Sequence, residues 1–389
     1  MKLDRKLLII LLIQVTEVLG FSLILPFMPF YAQDMGASPL TISLILGLFS
    51  ALQFVSAPIM GRLSDVFGRR PLLIASQIST FVSFVILAQA RSIWMLFLSR
   101  AVDGALGSNY TIAQAYISDV SSKKDRSKAF GISGAAFGIG FMIGPGIGGY
   151  LSKFGFSVPA YLAAGISLIT IILTVIFLPE TVKVKKKSLG KIKIIDLGIF
   201  REYLGRLATR RRLMIFLTFV MMTMVWHGNF AIYADRKWGF TAENVGWVLA
   251  YIGLVNVLLR GVFISKIIDT LGERLLKRVG LVIIIVALLG LGLVEVKWLV
   301  AITLSLYAVG TGITRPLLMG DISRSVKEDE QGAVLGVTNS LGSLTQIAGP
   351  VLGGWLLTNF IPESLMIVSM LIMLVGFGLL VFKSRVDRM

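Results

Sequence analysis

A chain of 389 residues that is 56% hydrophobic, only 15% charged and +0.84 in mean hydropathy is too apolar to be an ordinary soluble protein, since soluble domains carry about 45–50% apolar and about 25% charged residues. Lys and Arg number 38 against 21 Asp and Glu, a net charge of +17 that in a soluble chain would point to nucleic acid. The absence of Cys excludes disulfides, thiolate nucleophiles and Cys-ligated zinc, and a single His excludes a multi-histidine metal site.

Taken in chain order, the apolar residues fall into twelve runs, at about 7–31, 40–61, 72–89, 93–117, 128–151, 159–179, 213–233, 243–264, 279–294, 298–319, 331–358 and 365–382. A helix needs about 20 residues to cross a bilayer, and the runs match that scale. The first run follows Lys2, Arg5 and Lys6, is too long for the apolar core of a signal peptide and has no small-residue cleavage site, so it is expected to stay as the first membrane helix. The predicted fold is all-α, with twelve transmembrane helices.

Charge sets the expected orientation. With the N-terminus inside, the inner segments hold thirty Lys and Arg and fourteen Asp and Glu. The outer loops hold five basic (Arg91, Lys153, Arg236, Lys237, Lys297) and five acidic residues (Asp34, Asp235, Glu243, Glu295, Glu363). Basic residues are retained on the cytoplasmic side, so both termini are expected there and no nucleic-acid partner is needed to explain +17. The polar stretch from Glu180 to Arg212 carries eleven Lys and Arg, including Lys185-Lys186-Lys187 and Arg210-Arg211-Arg212. It reads as a basic linker, residues 181–212, that can touch anionic lipid. Apolar residues interleaved at 192–200 and 203–207 leave room for a short amphipathic helix on the membrane.

The two halves repeat one another. Gly131, Gly140 and Gly144-Pro145-x-x-Gly148-Gly149 in the fifth run match Gly336 and Gly349-Pro350-x-x-Gly353-Gly354 in the eleventh, 205 positions later, except that Gly140 has no counterpart. Arg62, Asp65, Gly68 and Arg70 after the second run match Lys266, Asp269, Gly272 and Arg274, 204 positions later. Two patterns with nearly one offset predict a duplicated six-helix unit: 1–180 as one bundle and 213–389 as the other.

These motifs carry a family resemblance. Gly61-Arg62-Leu63-Ser64-Asp65-Val66-Phe67-Gly68-Arg69-Arg70 resembles the loop 2–3 signature of the major facilitator superfamily. The glycines of the fifth run with Pro145, and Leu178-Pro179-Glu180-Thr181 after the sixth, resemble its proton-linked drug exporters. The resemblance implies a transporter with two six-helix bundles around a central cavity, proton-coupled export of small amphiphilic molecules, no cofactor, and the proton gradient as energy source. It also implies a cytoplasmic gate at Gly61, Asp65, Gly68, Arg69 and Arg70, with Asp119 as an acidic neighbour and Asp269 and Arg274 as the second copy. A monomer is expected.

Read for their own chemistry, the loop glycines permit a tight turn and close helix approach, and Asp65 is an anion able to meet a helix N-terminus or a cation. Gly131, Gly140, Gly144, Pro145, Gly148 and Gly149 supply a smooth packing surface. Charges at depth are costly, so each needs a reason. Glu17 lies about 15 Å into the first helix, and Arg100 and Asp103 lie about 10 and 15 Å below the end of the fourth. Arg100 and Asp103, three positions apart, share a helix face and can pair. The family commonly has Gln where Asp103 stands, so Asp103 is either a structural counter-ion or a partner in coupling. Glu17 matches an acidic position of the exporter branch, and a carboxyl in a poorly hydrated cavity can take and release protons near neutral pH; a permanent interhelical hydrogen bond is the plainer alternative. His227 is a pH-sensitive candidate or a wall residue. Trp226, Asn229, Tyr233, Tyr251, Asn256, Asn109 and Tyr110 would give a cavity aromatic walls and few polar anchors.

No GxxxxGKS phosphate loop, calcium loop, HExxH pair or GxSxG elbow is present, so an enzyme is not expected. The alternatives to export are a facilitator or proton-symport uptake carrier for a sugar or organic acid, and a receptor or channel that does not cycle.

Overall fold

In a computed structural model, residues 5–122, 125–182 and 197–382 are described; the Lys185-Lys186-Lys187 cluster lies outside them. Among the described residues every element is a helix. Lipid offers no partner to backbone N–H and C=O groups, so apolar runs of this length must satisfy them internally.

In chain order the helices are α1 (Arg5–Ile24), α2 (Met28–Asp34), α3 (Pro39–Phe67), α4 (Arg69–Ala88), α5 (Ile93–Leu106), α6 (Asn109–Val120), α7 (Arg126–Leu151) and α8 (Ser157–Phe177). They continue as α9 (Leu197–Gly205), α10 (Leu207–Trp238), α11 (Ala242–Leu258), α12 (Ile264–Leu271), α13 (Glu273–Leu293), α14 (Lys297–Ser323), α15 (Gln331–Asn359) and α16 (Ser364–Val381). Among the described residues, ten segments are long and apolar enough to cross a membrane. The broken pair α5–α6 and α15 correspond to the fourth and eleventh of the twelve expected runs.

Three predicted runs are interrupted. The first breaks between α1 and α2 around Pro26, which lacks the N–H needed to continue a helix. The fourth breaks between α5 and α6 at Gly107, where a Cβ would collide with the Asp103 carbonyl and carboxylate. Gln53 Nε2 donates to the Gly107 carbonyl at 3.2 Å and Ser56 Oγ to that of Gly104 at 2.9 Å, so α3 takes up carbonyls that the break leaves over. In the eighth, a π-helical turn over Leu259–Phe263 separates α11 from α12.

The chain forms two compact units. The first comprises Met1–Ala37, Leu48–Ile194 and Thr241–Gly253; the second comprises Ser38–Gly47, Ile195–Phe240 and Leu254–Met389. These boundaries follow the halves of the chain except at α3 and α11, whose first turns pack with the opposite half. In the first unit Leu7, Ile10, Ile13, Leu73, Ile112, Tyr116 and Leu178 form a buried apolar cluster. In the second, Leu276, Ile313 and Leu317 do so.

Of the amphipathic linker helix expected near 192–207, residues 192–196 lie outside the described residues and Leu197–Gly205 form α9. Tyr203 is buried, and Arg206 makes a two-pronged contact with Glu330 at 2.7 and 2.9 Å. Those Arg206 hydrogen bonds hold the Glu330 carboxyl down to about 2.

Candidate functional site: a buried polar cluster in the first unit

Helix α4 carries its polar residues on the buried side. Ser76, Gln77, Ser79, Thr80 and Ser83 recur at helical spacing beside Leu73, Phe84 and Leu87. They meet α5, whose Arg100 and Asp103 are 2% and 4% exposed. Arg100 Nη2 donates to Ser83 Oγ at 2.9 Å and Ser99 Oγ at 3.1 Å, and Nη1 stands 3.6 Å from Asp103 Oδ2. Its guanidinium also lies about 6 Å from the ring centres of Phe49 and Phe84. Asp103 Oδ1 accepts from Thr80 Oγ1 at 2.8 Å, and Thr80 accepts from Asn109 Nδ2 at 3.0 Å. Arg100 and Asp103 thus neutralise one another inside a hydrogen-bonded net.

Glu17 on α1 enters the same cluster from the other side. Its carboxyl is within interaction range of Asn109, Gln77 and Asp103, while its buried Oε1 has no hydrogen-bond partner. Three charges therefore share one buried site: a cation, its counter-ion, and a carboxyl left over. Gln77, Thr80 and Ser83 went unnoticed in the sequence. Their signal was legible as a polar stripe inside an otherwise apolar run.

Within the first unit, the loop motif closes on itself. Arg69 pairs with Asp65 at 2.6 Å and with Asp119 at 3.0 Å, and also donates to Ser64 Oγ and the Gly61 carbonyl. Both acids are thus partners of Arg69. Gly68 turns the chain at φ +111°, a conformation glycine alone adopts freely. Of the two partners open to Asp65 it takes the cation, and Glu180 caps the helix: its carboxylate accepts the N–H groups of Arg69 at 3.0 Å and Arg70 at 3.1 Å, at the start of α4. Partial burial would raise its carboxyl, but the N–H groups of Val182, Arg69, Thr181 and Arg70 hold it below the usual range. Arg70 itself reaches the Val175 carbonyl.

The second copy of the motif is built differently. Asp269 and Arg274 are exposed, and the ion pairs of that corner are made by Glu273 with Arg324 and by Lys277 with Asp321. Glu273 is 204 positions beyond Arg69 and Arg324 is 205 beyond Asp119. The repeat preserves the Arg69–Asp119 pair with its polarity reversed.

Glycines of α7 fit their expected packing role unevenly. A Cβ at Gly144 or Gly148 would run into Ser22 or the Leu23 backbone of α1, one at Gly140 would press on Val18, and one at Gly149 would meet the backbone of α11. Gly131 faces open space. Pro145 sits within the helix, and its carbonyl lies where a Cβ on Gly246 would go.

His227 and most of the proposed cavity residues lie in the second unit. Trp226 is fully buried and stacks on Phe230 and Tyr307 at 4.3 Å, with His227 edge-on to it at 4.9 Å. Tyr233 donates to the Leu291 carbonyl, and Asn229 is held by Ser43, Val225 and Pro350. In this state these three side chains face protein on all sides. Asn256 accepts from Arg260 at 3.0 Å. Tyr110 and Tyr251 are the exposed members, 51% and 43%, and Tyr110 meets Phe137 edge-on.

The sequence profile of the Major Facilitator Superfamily matches residues 10–350. The chain belongs to the Major Facilitator Superfamily. As a member it is a multi-pass cell-membrane protein, a secondary transporter and not an enzyme. It is 28% identical over 355 residues to the class C tetracycline resistance protein of Escherichia coli, covering 90% of this chain and 89% of that one. It is 27% identical over 373 residues to multidrug resistance protein 2 of Bacillus subtilis, covering 94% and 92%. A bacterial homologue of the human lysosomal transporter Spinster, solved inward-facing and unoccupied, superposes with a TM-score of 0.78 at 16% identity over 98% of this chain and 97% of the other. The human organic anion transporter MFSD10 gives 0.72 at 22% identity over 98% and 100%. At those identities the likeness to the solved structures concerns the fold alone.

Proposed function

We propose that this superfamily member is a proton-coupled exporter of small amphiphilic compounds, working by alternating access with both termini in the cytoplasm. The observation that carries the reading is the leftover carboxyl. Arg100 and Asp103 offset each other, so Glu17 is the charge in the cluster without a counter-ion of its own. An ionised carboxylate held away from water is costly, and two species can relieve that cost: a proton, or a substrate bearing positive charge. Only one is needed at a time. Substrate entry therefore favours release of the proton and proton uptake favours release of the substrate, which couples the two by competition. The relatives named for tetracycline and multidrug resistance support a drug-like cargo and an outward direction.

On this reading Asp103 is chiefly the counter-ion of Arg100. The Arg69–Asp65–Asp119 corner is a cytoplasmic clasp that separates when that side opens. Tyr110 and Tyr251, already exposed, are the candidate substrate contacts. The transporter works as a monomer with no cofactor, and the basic linker favours anionic lipid.

Purified protein in proteoliposomes under an imposed pH gradient tests the proposal, with lipophilic cations, tetracycline, neutral drugs and sugars offered in turn. Gradient-dependent flux of a cationic or amphiphilic compound is expected. Gradient-independent flux, or flux of a sugar alone, would overturn it.

A further inference from the structure

Around Glu17 the structure leaves several polar atoms unused, and both protonation states of the carboxyl can use them. Gln77 on α4 is wholly buried, and neither its Oε1 nor its Nε2 has a hydrogen-bond partner. Asn109 Oδ1 and Glu17 Oε1 are likewise buried and without partners. All three side chains converge, since Gln77 and Asn109 both lie within interaction range of the Glu17 carboxyl. A buried amide with both ends idle bears its full desolvation cost, and native proteins keep very few such groups.

Asn109 gives one Nδ2 hydrogen to Thr80, and Thr80 gives its hydroxyl to Asp103. Asn109 keeps a second Nδ2 hydrogen and an Oδ1 without a partner. Gln77 has an uncommitted N–H as well as an uncommitted oxygen, and its backbone is tied to α8 where Ser167 Oγ donates to its carbonyl at 3.4 Å. It can therefore donate to an ionised carboxylate. We propose that Gln77 is a positioning residue for coupling, its amide N–H holding the ionised Glu17 carboxylate beside the second N–H of Asn109, and its Oε1 accepting from the protonated form. This rests on the reading of Glu17 as the group that exchanges protons. The step moves one proton between the Glu17 carboxyl and water; Gln77 donates a hydrogen bond and transfers nothing.

Other ionisable groups leave that assignment intact. Asp103 and Arg100 on α5 are the charged pair in range, and they are paired. Arg69 and Arg70 on α4, Asp119 on α6, and Arg126 and Lys128 on α7 sit at helix ends. Tyr116 of α6 donates to the Pro179 carbonyl, Tyr110 packs on Phe137, and Tyr150 and Tyr161 lie at the ends of α7 and α8 nearest the turn that joins them.

Gln77→Met keeps the side-chain length and removes both hydrogen-bonding atoms. In proteoliposomes, substrate-driven proton release should then be half-maximal at a pH about one unit higher, the tenfold change expected when an anion loses one charge-assisted hydrogen bond. Gln77→Glu, which when ionised places a like charge beside Glu17, should displace the profile further. Glu17→Gln run alongside separates two failures. If Glu17→Gln loses proton release while Gln77→Met leaves the pH profile in place, Gln77 is a packing residue and the proposal fails, although Glu17 stands. If Glu17→Gln still releases protons fully, the reading of Glu17 falls and this inference falls with it. Infrared difference spectra of the unmutated transporter give a readout that needs no Gln77 variant: the carboxyl band lost in Glu17→Gln should lie at the position of a hydrogen-bonded acid, and a band at the position of an isolated acid would contradict the arrangement.

Discussion

Arg100 and Asp103 show how a few charges can be kept inside a membrane helix bundle. Each is nearly inaccessible, and each is tied by hydroxyls as well as by its opposite: Ser83 and Ser99 on one side, Thr80 on the other. A buried pair of this kind contributes little net stability, but removing one member leaves an unpaired charge, at a cost of about 3–5 kcal/mol. Arg100→Leu should therefore lower unfolding stability by roughly that amount, and Arg100→Leu with Asp103→Leu should recover most of it. Thermal or denaturant unfolding in detergent measures both. If the double variant were as unstable as the single, the pair would not be the self-neutralising unit described. The three intramembrane charges of the cluster were legible in the sequence because polar letters stand out in apolar runs. Glu180 was less legible as a helix cap, since its partners are backbone N–H groups 110 and 111 residues away in the chain.

At the scale of the elements, α1 and α7 meet through a line of small residues, and the fit is uneven along it. Gly144→Val would drive its Cβ into Ser22, and Gly131→Val would meet nothing. The first should cost about 1–3 kcal/mol, as overpacking does, and reduce transport; the second should leave melting temperature and flux near those of the parent. Equal effects at both positions would refute the packing role. The glycine motif announced a close contact but could not say which glycines bear it, because that depends on the rotation of α7 against α1. The break at Gly107 was hidden for a related reason. One glycine inside an apolar run is compatible with an unbroken helix, and only the collision with Asp103 and the bond from Gln53 single it out. The duplicated motif was legible as a repeat, yet its second copy makes different ion pairs. Sequence spacing preserves where a pair sits and says nothing of the sign at each end, as Arg69–Asp119 and Glu273–Arg324 demonstrate.

For the whole molecule, the proposed orientation makes the net charge of +17 a mark of topology more than of a binding partner. Thirty of the basic residues fall on one side by the sequence count, and the loops expected outside balance to zero. Because the chain has no Cys, single introduced thiols test this cleanly. Glu295→Cys, in the exposed turn before α14, should react with a membrane-impermeant maleimide in intact cells, and exposed Glu328→Cys should react only after lysis. The reverse pattern would invert the orientation. The central claim concerns one carboxyl, and one measurement meets it most directly: proton release on addition of substrate, followed with a pH indicator in detergent-solubilised protein, for the parent and for Glu17→Gln. The account predicts release by the parent and none by Glu17→Gln, with substrate still bound; undiminished release by Glu17→Gln would contradict it.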